Sequence, residues 1–177
     1  MSRLQACIVP SEFGEFIVAW EPSSFPRVRT IHLPTTPAER KKLLATYELV
    51  KERPPLVAAM ARHLAGEAVR YAWRDFDWTG VPAFHLDVYR ALLQVPRGRT
   101  VSYAGLARAA GRPHAARAVG QAMARNPLPL VVPCHRVVAT NGHLNGFGGG
   151  LELKRRLLLL EGVPFADKLH VENTADD

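Results

Sequence analysis

The chain has 177 residues, 47% hydrophobic and 22% charged, with a formal net charge of +7. That balance excludes a disordered protein and allows one large domain or two small ones around a buried core. Two cysteines, Cys7 and Cys134, are too few for a disulfide framework; no apolar run is long enough to span a bilayer, and Met1-Ser-Arg-Leu-Gln lacks a signal peptide's apolar core, so a cytoplasmic protein without a membrane partner is expected.

In chain order, Leu4 to Pro10, Phe16 to Trp20 and Val28 to Leu33 are short β-branched or aromatic stretches between turn-rich segments, and read as strands. Thr36-Pro37-Ala38-Glu39 spells a capping box with proline at the first helical position, opening a helix expected to run to about Glu52. Pro54-Pro55 ends it, and Leu56 to Leu64 reads as a second helix. Val69 to Trp73 is expected as another strand, and Asp75 to Pro82 as a linker between domains 1–80 and 81–168.

The second part reads as mainly helical. His85 to Gln94 places Leu86, Tyr89, Leu92 and Leu93 on one face. Ser102 can cap a helix from Tyr103 to about Ala110, Gly111-Arg112-Pro113 breaks it, and another runs from about Ala115 to Arg125. Two short helices joined by a glycine-containing turn make a helix-turn-helix pattern. On the second helix Ala116, Val119 and Met123 are spaced to pack inward, and Arg117, Gln121 and Arg125 to project together. Ala115, Ala118, Gly120, Ala122 and Ala124 between them are small enough for close approach to another surface, or to the protein itself. Leu130-Val131-Val132 reads as a buried strand ended by Pro133. Asn141-Gly142 is a hairpin signal that would pair Val137 to Ala139 with the chain near Leu144. The loop Gly146-Phe147-Gly148-Gly149-Gly150 then leads into a helix, Leu151 to Glu161, stopped by Gly162.

Charge is unevenly distributed. Residues 1–80 hold 11 Lys/Arg against 9 Asp/Glu, residues 81–168 hold 12 against 4, and the tail 169–177 has three acids and no base. A basic second part suits a phosphate backbone, although a solvated basic surface would look the same. Within it, Cys134 stands beside His135. A free thiol with a pKa of about 8.5 is mostly protonated at neutral pH, so a base partner matters for reactivity. Glu161 sits at a helix C-terminus, where the dipole disfavours a carboxylate, and is a candidate to orient the histidine.

The run Ser102-Tyr103, Gly111-Arg-Pro-His-Ala-Ala-Arg117-Ala-Val-Gly120, Asn126-Pro127, Pro133-Cys134-His135-Arg136-Val137, Gly146-Phe-Gly-Gly-Gly150 and Leu159-Leu-Glu161-Gly162 resembles the O6-alkylguanine-DNA alkyltransferase family. It covers about residues 84–164; residues 1–80 are similar only in general layout. The resemblance implies an α+β protein. Its N-terminal α/β domain would hold a small, ribonuclease H-like antiparallel sheet, and its mostly helical C-terminal domain a helix-turn-helix. It also implies a minor-groove partner, double-stranded DNA carrying O6-alkylguanine, with O4-alkylthymine as a further candidate. The flipped guanine would give its alkyl group irreversibly to Cys134, once per molecule. His135 would take the thiol proton through water, Glu161 would hold His135, Asn126 would brace the active-site turn, and Tyr103 would assist base rotation and leaving-group protonation. Arg117 would fill the space left in the duplex, with Ala115, Ala116, Gly120, Gln121, Arg125 and Arg136 also on the DNA side. Met123, Val137, Phe147, Gly148 and Gly149 would line the pocket, with Phe147 where many members have tyrosine.

No cofactor is implied. The zinc site of some relatives needs more cysteines than Cys7, with His32, His63 and His85, can supply, so no metal is expected. The protein would be a nucleoid-associated monomer that could assemble cooperatively on DNA. Three rivals make different predictions: a non-enzymatic lesion binder would lack Cys134, an alkylation-sensing regulator would need a cysteine-rich first domain, and a papain-type hydrolase has no use for the helix pair.

Overall fold

The computed structural model describes residues 3–171. The chain divides into two compact units, one up to Thr79 and one from Gly80. Both mix helices with small sheets, and the described residues hold six α-helices.

In the first unit, β1 (Gln5–Ser11) and β2 (Gly14–Trp20) form an antiparallel hairpin in register from Gln5↔Trp20 to Ser11↔Gly14. Its turn is tied by Ser11 Oγ, which donates to the Gly14 carbonyl, and Gly14 takes φ +111, open to glycine at little cost. β3 (Val28–His32) pairs antiparallel with β2. Period-two alternation puts Ala6, Ile17 and Ala19 on one face, packed against Leu43, Leu44 and Tyr47.

The capping box at Thr36 is present, with Glu39 N–H donating to Thr36 Oγ1 and Thr36 N–H to Glu39 Oε2. Helix α1 nevertheless spans only Pro37–Leu44 instead of running to Glu52. Glu48 and Val50 donate backbone N–H groups to Leu4 and Ala6, which makes Glu48–Leu49 a parallel strand, β4, beside β1. Edge pairing to an existing strand here outweighs helix propagation through the β-branched Thr46 and Val50. The sheet order is β3-β2-β1-β4. Helix α2 (Pro55–Leu64) packs against β1 and buries Val57, Met60, His63 and Leu64.

Val69 to Trp73 forms no strand; instead Trp73–Asp75 is one 3-10 turn, with the Trp73 and Trp78 rings stacked 3.9 Å apart. Nor is 75–82 a bare linker. Phe76 is buried, and Asp77 N–H bonds to Val28 O, so the chain stays attached to β3 until Thr79. Of the residues weighed for zinc, His32 and His63 bond to tyrosines: His32 Nε2 lies 2.7 Å from Tyr47 Oη, and His63 Nδ1 3.0 Å from Tyr71 Oη.

The second unit opens with α3 (Ala83–Leu92), whose buried stripe is His85, Val88, Tyr89 and Leu92. The expected Leu86 and Leu93 are only half-buried, because the i, i+3, i+4, i+7 stripe starts one residue earlier. Ser102 Oγ caps α4 (Tyr103–Ala109) by accepting from Gly105 N–H at 2.9 Å. After the turn at Gly111, α5 (Ala116–Ala124) buries Val119 and Ala122; Ala116 and Met123 are half-buried.

Leu130 to Val132 is buried but forms a turn, not a strand. Leu130 sits at φ +76 and Val132 N–H closes back on Leu128 O at 2.9 Å. Pro127, Pro129 and Pro133 lack the N–H groups a ladder would need. β5 (Val101–Ser102) pairs in parallel with β6 (Val137–Val138), the strand expected to form a hairpin. The turn at Asn141-Gly142 exists, with Ala139 N–H bonded to His143 O, but Leu144 N–H turns to Leu169 O. Helix α6 spans Gly150–Leu160. β7 (Phe165–Asp167) and β8 (His170–Val171) form a short hairpin. The segment read as an acidic tail therefore begins inside that hairpin, and its acids at 172, 176 and 177 lie outside the described residues. Among the described residues no helix is long and apolar enough to cross a membrane.

Candidate active site

The end of α6 sets one wall. Gly162 at φ +84 lets Val163 N–H reach Leu158 O and Gly162 N–H reach Leu159 O, a Schellman closure. This fixes Glu161 as the helix C-cap, its side chain 1% exposed. A carboxylate there faces the negative end of the helix dipole and needs donors. It has them: His135 Nε2 lies 2.9 Å from Oε1, Arg136 Nε donates to Oε2 at 2.8 Å, and Arg136 Nη2 to Oε1 at 2.9 Å.

Cys134 and His135 are presented by two consecutive tight turns. Pro133, at φ −79 and ψ 64, is the centre of an inverse γ-turn in which Cys134 N–H bonds to Val132 O at 2.7 Å. Cys134–Arg136 then make a single 3-10 turn. Asn126 ties this corner to the end of α5: its Nδ2 donates to Val132 O at 2.9 Å, and its Oδ1 accepts from Leu128 N–H at 3.0 Å. Burial pushes the Cys134 thiol up from its ordinary pKa; Asn126, the Lys154 charge and the backbone N–H groups of Cys134 and His135 pull the other way. The thiol is therefore mostly protonated at rest and needs a base.

Lys154, which the sequence reading passed over, is fully buried on α6 and donates to Val137 O at 2.6 Å and Asn145 O at 2.8 Å. Burial lowers its pKa to about 8, while Cys134 opposes that shift. It staples the start of the glycine-rich loop to the segment after Cys134. The available signal was its position: on α6 it falls in the apolar stripe between Leu153 and Leu157, where a charged side chain needs a reason.

The α4–α5 pair flanks the cysteine. A Cβ at Gly120 would sit 3.9 Å from the Tyr103 ring, so that ring lies over the small face of α5. Burial raises the Tyr103 pKa, and the nearby Cys134 raises it further. Tyr89 Oη donates to Ala122 O at 2.9 Å, satisfying a carbonyl in the last turn of α5. Ala115 is the N-cap and Arg125 the C-cap of α5; Arg117, Gln121 and Arg125 are exposed together. Val137 is buried in β6, and Phe147 is half-buried in a loop with Gly148 and Gly149 that closes through Gly150 N–H to Phe147 O. Arg136, expected on the DNA side, points into the Glu161 cluster with its side chain 11% exposed.

Residues 83–163 match the family model for the 6-O-methylguanine DNA methyltransferase DNA-binding domain. The methylated-DNA–protein-cysteine methyltransferase of Haemophilus influenzae is 31% identical over 98% of this chain and 94% of its own length. That of Mycobacterium leprae is 46% identical over 105 residues, and the match spans only 62% of that relative's length. The crystal structure of Mycobacterium tuberculosis OGT in complex with DNA aligns with a TM-score of 0.72 at 32% identity, covering 89% of this chain and 92% of that one. With a relative 31% identical over nearly the whole of both chains and a shared fold at a TM-score of 0.72, the chain belongs to the methylated-DNA–protein-cysteine methyltransferase family.

Proposed function

We propose that this protein repairs DNA by direct reversal, moving the alkyl group of O6-alkylguanine irreversibly to Cys134. The observation that carries this reading is the convergence of a buried thiol, Cys134, with an adjacent imidazole whose far nitrogen is held 2.9 Å from Glu161. A carboxylate only accepts, so His135 Nε2 bears a proton and Nδ1 is the lone-pair atom. A water between Nδ1 and the thiol would carry the Cys134 proton to His135. The thiolate then attacks the alkyl carbon: an S–C bond forms as the C–O6 bond breaks, and the electron pair leaves on guanine, which Tyr103 helps protonate. A thioether is a poor leaving group, so the chain acts once.

The α4–α5 pair serves as a helix-turn-helix on the minor groove. The small residues Ala115, Ala116 and Gly120 permit close approach, while Gln121 and Arg125 contact the duplex and Arg117 occupies the space of the flipped base. Asn126 braces the cysteine corner, and Met123, Val137, Phe147, Gly148 and Gly149 surround the guanine. DNA binding and transfer belong to 81–168. The first unit is read as ribonuclease H-like from its antiparallel meander followed by a helix and a parallel strand.

Incubation with duplex containing O6-methylguanine tests the reading. The intact protein should gain one methylene of mass, while Cys134→Ala should gain none and still bind. Binding without any mass gain in the unaltered protein would leave a lesion binder in place of a transferase.

A further inference from the structure

Arg136 spends its donors inside the protein. Besides its two bonds to Glu161, Nη1 donates to Val95 O at 2.7 Å, tying the cysteine turn to the segment after α3. Glu161 Oε1 is shared between Arg136 and His135. The side chains of His135 and Glu161 are 0% and 1% exposed, so water does little to screen their charges.

The charge balance at this spot has a chemical consequence. A buried carboxylate facing only an imidazole is most cheaply neutralised by a proton on that imidazole, and an imidazolium cannot take a proton from a thiol. With a guanidinium already paired to Glu161, the carboxylate is neutralised and His135 can stay uncharged. From this geometry we infer that Arg136 is a positioning residue, not a DNA contact: by neutralising and orienting Glu161 it keeps His135 in the neutral form that accepts the Cys134 proton. The inference rests on the alkyl-transfer reading above.

Other ionisable groups also surround the site. Lys154 comes from α6, Tyr89 from α3 and Tyr103 from α4, and Arg97 reaches in from the segment before β5, where its Nη2 donates to Leu160 O. Burial raises both tyrosines, which stay neutral through the neutral range. Lys154, lowered to about 8, is present in all the variants compared, so it does not distinguish them.

The test measures single-turnover methyl transfer against pH, with duplex affinity measured in parallel, for the full-length protein, R136M, R136K and the R136M/E161Q pair. R136M is expected to slow transfer at neutral pH by about tenfold or more. Its rate should recover on raising the pH, moving the midpoint of the rising limb up by about one unit. Its affinity for methylated duplex should stay within about twofold. R136K keeps the charge, and R136M/E161Q removes both charges, so both are expected at the wild-type midpoint, the second with a lower rate.

A loss that is equal at every pH, or a loss of duplex affinity, overturns the inference. Should R136M not fold, the other two variants decide: a shifted midpoint in either overturns it. If the unaltered protein takes up no methyl group, the transferase reading itself has failed, which is a separate result from an unshifted R136M.

Discussion

Replacing Lys154 by methionine separates stability from chemistry. The substitution removes two charge-assisted hydrogen bonds, to Val137 O and Asn145 O. Bonds of that kind contribute about 1.5–3 kcal/mol each, a gross loss of about 3–6 kcal/mol. It also removes a buried ammonium whose pKa has fallen from 10.5 to about 8. At about 1.36 kcal/mol per unit, holding that charge costs about 3 kcal/mol at neutral pH. The two effects largely cancel, leaving a net destabilisation of about 0–3 kcal/mol, or about 10 °C in Tm at most for a chain this size. The loop after Asn145 nevertheless loses its tie to the cysteine segment, and a shift of about 1 Å at a reacting centre can cost about a hundredfold in rate. K154M should therefore fold, melt slightly lower and transfer methyl groups about a hundred times more slowly. The sign of the pH effect is also set. Between pH 8 and 10.5 the unfolded chain binds more protons at Lys154 than the folded one, so stability relative to K154M rises with pH across that window and is lost as pH falls through 8. Thermal melts at several pH values and quenched single-turnover assays measure both quantities. Wild-type transfer by K154M, or a stability difference that shrinks as pH rises, would refute the reasoning.

Arg117→Ala should impair transfer from duplex more than transfer from the free alkylated base; equal losses on both substrates would make the exposed arginine a structural residue. Tyr89→Phe strands the buried Ala122 carbonyl and should cost about 1–2 kcal/mol in chemical denaturation; no change would mean that the carbonyl finds another donor. Duplex affinity should fall steeply with salt, by a log–log slope of about −0.9 per phosphate contacted, and a flat response would remove the basic second unit from the interface.

Local signals carried much of the fold. The Thr36 capping box, the Ser102 cap and Gly162 were readable because each solves a helix-end problem with a residue type suited to it. Glu161 stood out for the opposite reason, a carboxylate at the wrong helix end, and the structure puts His135 and Arg136 against it. The misreadings were tertiary in origin. Thr46 to Val50 left α1 because β1 offered an unpaired edge, which no local pattern reveals. Leu130 to Val132 had a strand's composition but prolines on either side, and burial alone does not distinguish a packed turn from a strand. Arg136 was expected on the DNA side and Lys154 was passed over because their partners, backbone carbonyls and a carboxylate, are distant in sequence.

The central claim is tested most directly by digesting the protein after reaction with a methyl-labelled O6-methylguanine duplex and mapping the label. One methyl per chain, on the peptide that carries Cys134, is the result expected here. Label on Cys7, release of free methyl product, or turnover beyond one equivalent would contradict it.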